Sequence, residues 1–255
     1  MQNPFFPTSQ AEFPPLDWQE SAAPQDILRW ALDAYGEKLT MATAFGAEGC
    51  ALLDMLAKLR DETGIAPDIF NLETGFQFPQ TLALCKKIEE RYGFSIRRVQ
   101  PDAGIEAAES KSKADFNQPL YKTDPNLCCY FRKVAPLGPA IEGFDAWITA
   151  IRRDQTPERA TTPIIGPDNK FPLVKINPLA NWTKQQVWDY IRAHDVPTNR
   201  LHEQGFPSIG CWPCTRPVQK GQDDRAGRWA GTEKKECGLH IDLNAGVLQR
   251  ASQAR

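Results

Sequence analysis

The stretch Lys38-Leu39-Thr40-Met41-Ala42-Thr43-Ala44-Phe45, then Gly46-Ala47-Glu48-Gly49, then Cys50-Ala51-Leu52-Leu53-Asp54-Met55-Leu56-Ala57-Lys58-Leu59, reads as strand, tight loop and helix. The first run is apolar and short, as a buried strand is. The second is glycine-bearing, and the third is long enough and apolar enough for a packed helix. The order then repeats downstream. Pro67 to Leu72 reads as a strand with Glu73-Thr74-Gly75 behind it, Pro79 to Tyr92 as a helix stopped by Gly93, and Ser95 to Val99 as a third strand. Asp145 to Ala150 supplies a fourth, and Pro172 to Ile176 a short edge strand. Upstream, Ile27, Trp30, Ala31 and Ala34 fall at helical spacing within Asp26 to Tyr35, which Gly36 ends. Thr183 is a suitable N-cap for a helix from Lys184 to His194. Strands alternating with helices predict an α/β fold with a parallel sheet covered on both faces. Residues 1–24, rich in proline and without a sustained period, read as a loosely ordered lead-in. From Pro197 onward the sequence reads as loops and turns laid over the sheet.

The 255 residues suit one large α/β domain, or one domain plus a functional tail, and a hydrophobic fraction of 41% is ordinary for a chain with a real core. The net charge of −2 gives no global field toward nucleic acid or acidic membranes, so an anionic ligand needs local basic clusters. No run approaches a membrane span, and Met1-Gln2-Asn3-Pro4-Phe5-Phe6-Pro7 lacks the features of a secretory signal. A cytoplasmic protein is the expectation.

Open parallel sheets bind ligands at the carboxyl ends of their strands. The loops Gly46–Gly49, Glu73–Gly75 and Ile151-Arg152-Arg153-Asp154-Gln155 meet that condition and together suit one nucleotide. The first presents backbone N–H groups at a helix start. Arg152 and Arg153 offer planar recognition of phosphate, which ordinary αβ connections do not need.

Seven cysteines are present. In a reducing compartment structural disulfides are disfavoured, and metal or thiol chemistry is the better reading. Cys50 and Cys85 fall within apolar helical patterns and read as core. Cys128-Cys129 and Cys211-Trp212-Pro213-Cys214 form a second kind of pattern. Taken singly, the first reads as two small hydrophobes and the second as a redox dithiol. Together, four thiolates suit Zn²⁺ or an iron–sulfur cluster. A single Zn²⁺ draws all four sulfurs to about 2.3 Å. Adjacent cysteines point apart, so a cubane, whose irons are spread over a larger volume, is preferred. Cys237, in Lys234-Lys235-Glu236-Cys237-Gly238-Leu239-His240, has cationic neighbours that favour the thiolate. It reads as a nucleophile rather than a spectator. Arg132, Lys133, Arg216, Arg225 and Arg228 accompany these elements, as a doubly anionic substrate requires.

Cys-Cys-Tyr-Phe-Arg-Lys-Val-Ala-Pro-Leu from Cys128, Gly-Cys-Trp-Pro-Cys-Thr-Arg-Pro from Gly210 and Glu-Cys-Gly-Leu-His from Glu236 resemble the assimilatory adenylyl-sulfate reductases. Glu-Thr-Gly at 73–75 and Ile-Arg-Arg-Asp-Gln at 151–155 match the wider sulfonucleotide reductase family, and the resemblance runs from about Lys38 to His240. It implies an adenine-nucleotide α-hydrolase (PP-loop) fold. It also implies a [4Fe–4S] cluster on Cys128, Cys129, Cys211 and Cys214, and Cys237 as the nucleophile that forms an S-sulfocysteine. Lys133, Arg225, Arg228 and His240 are implied as phosphosulfate contacts. Phe45, Gly46, Thr74, Gly75, Arg152 and Arg153 are the further substrate-binding candidates. Thioredoxin or a glutaredoxin-like dithiol is the implied reductant. The expected organisation is a lead-in and helix over 1–36, the α/β domain with the cluster ligands over 37–218, and a mobile tail bearing Cys237 over 219–255. The first loop departs from the Ser-Gly-Gly-x-Asp-Ser run of ATP pyrophosphatases, which disfavours adenylation chemistry. The rival readings are a reductase of the 3′-phosphorylated nucleotide or one accepting both, an ATP-dependent sulfurtransferase, and a non-catalytic Cys₄ zinc module. A homo-oligomer stays open.

Overall fold

The computed structural model describes residues 12–114, 118–232, 234, 236 and 239. Leu39–Ala42 forms β1, and its continuation turns into α3, Ala47–Thr63. Before them lie α1, Leu16–Ser21, and α2, Pro24–Tyr35; α2 has Pro24 at its start and Gly36 at φ +50° behind it. Asp68–Leu72 is β2, Pro79–Tyr92 is α4 and Ile96–Val99 is β3. Ala103–Ala114 is α5, Leu120–Thr123 is α6 and Pro125–Cys129 is α7. Ala135–Ile141 is α8 and Ala146–Ile148 is β4. Ile165–Pro167, Val174–Ile176 and Lys184–Ala193 are β5, β6 and α9.

The strands form one six-stranded sheet in the order β3-β2-β1-β4-β6-β5. β1 runs parallel to β2 and to β4, β4 runs parallel to β6, and β5 is antiparallel to β6. In register, Met41 sits beside Ile69 on one side and Ile148 on the other. All of these are buried, as a strand covered on both faces requires. β3 presents Arg97 and Arg98 outward, the charged pattern that keeps an edge strand from pairing further. Arg97 also bonds Asp68 of β2 at 2.7 Å.

Three expectations need correction. Pro172 to Ile176 is not the edge: β6 begins beyond Pro172, and β5 closes the sheet outside it. Pro167, which has no N–H to give, stands on that outer strand, where the loss is harmless. The expected loop Gly46–Gly49 is shorter than its sequence suggests. Gly46 caps α3, and Ala47 to Gly49 already lie in its first turn. The lead-in contains the helix α1, with Gln19 buried and bonded to Pro14 O at 2.7 Å.

The chain divides into two compact units. The first comprises the described part of Met1–Asn71 with Ala83–Arg97 and Ile141–Asn199. It holds the large apolar core, from Ile27 and Leu32 through Leu52 and Met55 to Ile176 and Val187. The second comprises Leu72–Leu82, Arg98–Ala140 and the described residues from Arg200 onward. It has its own small core of Leu120, Leu127, Cys128 and Phe131 with Phe76 and Tyr121 packed on it. The described residues beyond Pro197 form 3₁₀ turns and loops, as expected. From Arg200 they belong to a unit with a core of its own.

Candidate active site

In the second unit, the site begins with a helix start. The Asp124 carboxylate accepts from Leu127 N at 3.0 Å, and Pro125 occupies the first turn, where its missing N–H costs nothing. α7 thus begins on Pro125 and carries Cys128 and Cys129 on its last turn, both 7% exposed. The chain continues as a π-helix over Tyr130–Val134 before α8. The widened turn is a local departure of the sort found at functional sites, and it holds Lys133. Sequence periodicity carries no signal for it.

The second cysteine pair is folded by its own backbone. Cys211 is extended, Trp212–Cys214 makes one 3₁₀ turn, and Cys214 N donates to Cys211 O at 3.0 Å. Thr215 Oγ1 donates to Cys211 O at 2.9 Å. Trp212 N donates to Phe76 O at 2.8 Å, which fastens this turn to the segment after Glu73-Thr74-Gly75. Thr74 Oγ1 lies 3.3 Å from Cys211 Sγ.

Cys128, Cys129, Cys211 and Cys214 line one pocket, with Lys133 and Arg228 in the same wall. None of the four is in a disulfide. Among the described residues no three His, Cys, Asp or Glu groups converge on a point that holds one metal ion. Burial pushes the Cys128 thiol well above the ordinary range, and its three partner cysteines add to that rise. Burial raises Cys214 to about 11, further lifted by Cys211 and Cys129 and opposed by Lys133 and Arg228. Both shifts disfavour the thiolate in the polypeptide alone, the direction opposite to that of an activated thiol. The donor set fits a cationic multi-iron group, whose charge offsets the deprotonation of four crowded sulfurs.

The basic residues divide by partner. Arg132 makes a two-pronged bond to the buried Glu109, with Nη2 to Oε2 at 2.6 Å and Nε to Oε1 at 3.1 Å. It donates to Thr74 O at 2.7 Å and stacks on Phe76 at 4.7 Å. Arg132 thus shapes the Thr74-Gly75 turn, in which Gly75 has φ +72°. Arg228 donates through Nη1 to Ser208 Oγ at 3.2 Å and lies over the Trp229 ring at 4.5 Å. Arg225 pairs with Glu236 at 3.0 Å and also faces Trp229. Two backbone bonds tie the cysteine turn to this arginine turn: Arg216 N to Gly227 O and Trp229 N to Cys214 O, both 2.9 Å. Sequence reasoning missed Glu109 and Glu236 as partners, because a carboxylate distant in sequence announces nothing about which cation it will meet. Cys237 and His240 lie outside the described residues.

In the first unit, Phe45 takes φ +57° although it is bulky and 1% exposed. Its N–H donates to Thr43 Oγ1 at 3.1 Å. A non-glycine residue held in this region is strained and needs packing to keep it there. The turn delivers Gly46 as the N-cap of α3. Arg152, 4% exposed, donates from Nε to Glu48 Oε1 at 2.9 Å and also bonds Asp154. Arg153 forks onto Glu20 at 2.7 Å on both prongs and donates to Thr162 O at 2.8 Å. Both guanidiniums are thus held by carboxylates, a use of Arg-Arg-Asp that the motif alone does not distinguish from phosphate recognition.

Residues 38–217 match the family described as the phosphoadenosine phosphosulfate reductase domain. The chain is 46% identical to adenosine 5′-phosphosulfate reductase 2 of Bacillus subtilis, over 84% of this chain and 88% of that one. It is 42% identical to the adenosine 5′-phosphosulfate reductase of Halalkalibacterium halodurans, over 84% and 90%. Among solved structures, the phosphoadenylyl-sulfate reductase of Candida auris superposes with a TM-score of 0.65 at 30% identity, covering 77% of this chain and 93% of that one. The FMN adenylyltransferase of Candida glabrata, at 16% identity and a TM-score of 0.54 over 96% and 86%, shares the fold.

Proposed function

This chain belongs to the phosphoadenosine phosphosulfate reductase domain family, and we propose that it reduces adenylyl sulfate to sulfite and AMP in sulfate assimilation, with Cys237 as nucleophile. The observation that carries this reading is the gathering of Cys128, Cys129, Cys211 and Cys214 around one pocket walled also by Lys133 and Arg228. Relatives bearing the adenosine 5′-phosphosulfate reductase name support the choice of nucleotide.

The Cys237 thiolate attacks the sulfuryl sulfur. A sulfur–sulfur bond forms, the sulfur–oxygen bond to phosphate breaks, and AMP leaves with the electron pair. An S-sulfocysteine remains. One thiolate of thioredoxin or a glutaredoxin-like protein attacks Cys237 Sγ and expels sulfite. The second thiol of that protein resolves the mixed disulfide, leaving the reductant oxidised and Cys237 as thiol. Attack of an anion on an anionic centre needs cations, and Lys133, Arg225, Arg228 and His240 are assigned to screen the repulsion and to hold charge on the leaving phosphate. Thr74 and Gly75 are assigned to nucleotide contacts, as are Phe45 and the helix start at Gly46. Arg152 and Arg153 enter through the carboxylates they hold, setting the shape of the loop they stand on. Cys128, Cys129, Cys211 and Cys214 would hold a [4Fe–4S] cluster, whose charge would shape the field beside Lys133. None of the six described cysteines forms a disulfide, and a cytoplasmic setting is the one in which thiols stay reduced. Among the described residues no helix is long and apolar enough to cross a membrane.

The test is an anaerobic assay of purified protein for thioredoxin-dependent sulfite release from adenylyl sulfate, with the 3′-phosphorylated nucleotide in parallel and Cys237→Ser as control. The expected protein is brown, prefers adenylyl sulfate and is inert as Cys237→Ser. A colourless protein inert on both nucleotides overturns the reading. The likeness to the Candida auris phosphoadenylyl-sulfate reductase favours the second reading, use of the 3′-phosphorylated nucleotide, which a reversed preference in the same assay would establish.

A further inference from the structure

Glu236 directly precedes Cys237 in the chain and is 4% exposed. Its carboxylate meets the Arg225 guanidinium at 3.0 Å, and the two side chains are 2% and 18% exposed. Two residues earlier, Lys234 Nζ donates to Asn126 Oδ1 at 2.5 Å and lies 5.4 Å from the Trp229 ring centroid. Asn126 belongs to α7, the helix that carries Cys128 and Cys129. Trp229 also receives Arg225 and Arg228 on its ring. Lys234 and Glu236 are thus each pinned, one on the cysteine-bearing helix and one on Arg225.

Burying a carboxylate is costly unless it is paired, and an apolar pair would hold the segment at less expense. Buried charge pairs are best attested as devices that fix register. Register matters here, because consecutive Cα atoms are about 3.8 Å apart, so what fixes Glu236 bears directly on the residue bonded to it. We propose that Glu236 is a positioning residue for the nucleophile: it docks on Arg225, so that the reactive thiol and the phosphosulfate are registered on one guanidinium. Lys234 supplies the second pin through Asn126. The proposal rests on the reductase reading, since it assumes Cys237 to be the attacking group.

The experiment uses the cluster-loaded full chain and compares wild type with Glu236→Gln, Glu236→Ala and Lys234→Met. Adduct formation on Cys237 is followed by intact mass in a single turnover with saturating adenylyl sulfate and no reductant. AMP affinity is measured by equilibrium binding. The rate of Cys237 alkylation by iodoacetamide is read by peptide mapping. Misplacing a reacting group by an ångström can cost about a hundredfold. Glu236→Ala is expected to slow adduct formation by about tenfold or more. Glu236→Gln, which keeps a hydrogen-bonding group, should recover part of the loss, and AMP affinity should hold. Cys237 should alkylate faster in Glu236→Ala and, to a smaller degree, in Lys234→Met. Unchanged adduct formation in Glu236→Ala, or a loss of AMP affinity that matches the loss of rate, overturns the proposal. So does an unchanged alkylation rate. If wild type forms no adduct from either nucleotide, it is the reductase reading that fails, and the alkylation rates still decide whether Glu236 docks the segment.

Discussion

A Cβ at Gly227 would lie 2.1 Å from the Arg216 carbonyl oxygen, which is backbone and cannot swing aside. The close approach lets Arg216 N bond Gly227 O and Trp229 N bond Cys214 O. Gly227→Ala is expected to open that clamp and destabilise the protein by about 1–3 kcal/mol, the usual cost of overpacking. A urea titration checks the stability, and retention of the proposed cluster, read as iron after gel filtration, should fall below wild type, because Cys214 is one of the clamped residues. At this scale the cysteines were legible in the sequence, since a pair and a Cys-x-x-Cys are recognised by spacing alone. The partners of the arginines were not. Arg132 reaches Glu109 across 23 residues, and Arg152 reaches Glu48 across 104.

Asp54 of α3 joins three helices of the first unit. It accepts from Tyr190 Oη of α9 at 2.6 Å, from Tyr92 Oη of α4 at 3.1 Å and from Lys58 at 2.6 Å. Asp54→Asn exchanges a charged acceptor for a neutral one and is expected to cost about 1–3 kcal/mol. A chemical-denaturation midpoint checks this. Tyr35, at the end of α2, lies in the same unit with a buried hydroxyl that has no hydrogen-bond partner. Burial first, and the Asp145 charge second, raise its pKa to about 12 from the ordinary 10.0. The folded state therefore keeps a proton that the unfolded chain releases. The associated stability is complete below pH 10 and is lost as pH rises toward 12. Urea midpoints taken across that window should fall less steeply in Tyr35→Phe than in wild type. Among the elements, α9 was legible to its cap: Thr183 Oγ1 accepts from Gln186 N at 3.2 Å in a capping box. β5 was not, because three residues that include a proline carry too little pattern to distinguish an edge strand from a turn.

Over the whole molecule, the two units differ in how much apolar material holds them. The first is built on the broad core that runs from Ile27 to Val196, while the second rests on Leu120, Leu127, Cys128 and Phe131 and their aromatic neighbours. A small core gains from a cross-link, and the proposed cluster would supply one, since metal binding adds to folding free energy. Removal of the proposed cluster by chelation is expected to speed amide exchange in residues 118–140 and 200–232 while leaving 39–63 and 146–191 close to wild type. Hydrogen exchange followed by mass spectrometry checks it; equal loss of protection throughout would deny the second unit this dependence.

The sequence by itself determined the alternation of strand and helix, the bounds of α4, the capped start of α9 and the two cysteine motifs. Each of these is written in neighbouring residues, through periodicity, capping and spacing. The tertiary structure alone decided that Thr74 meets Cys211 across 137 residues, that Lys133 and Arg228 share the cysteine pocket, and that Arg132, Arg152, Arg153 and Arg225 are held by carboxylates. A guanidinium pairs with whichever anion the packing of distant segments brings within reach, and that choice leaves no trace in the residues beside it.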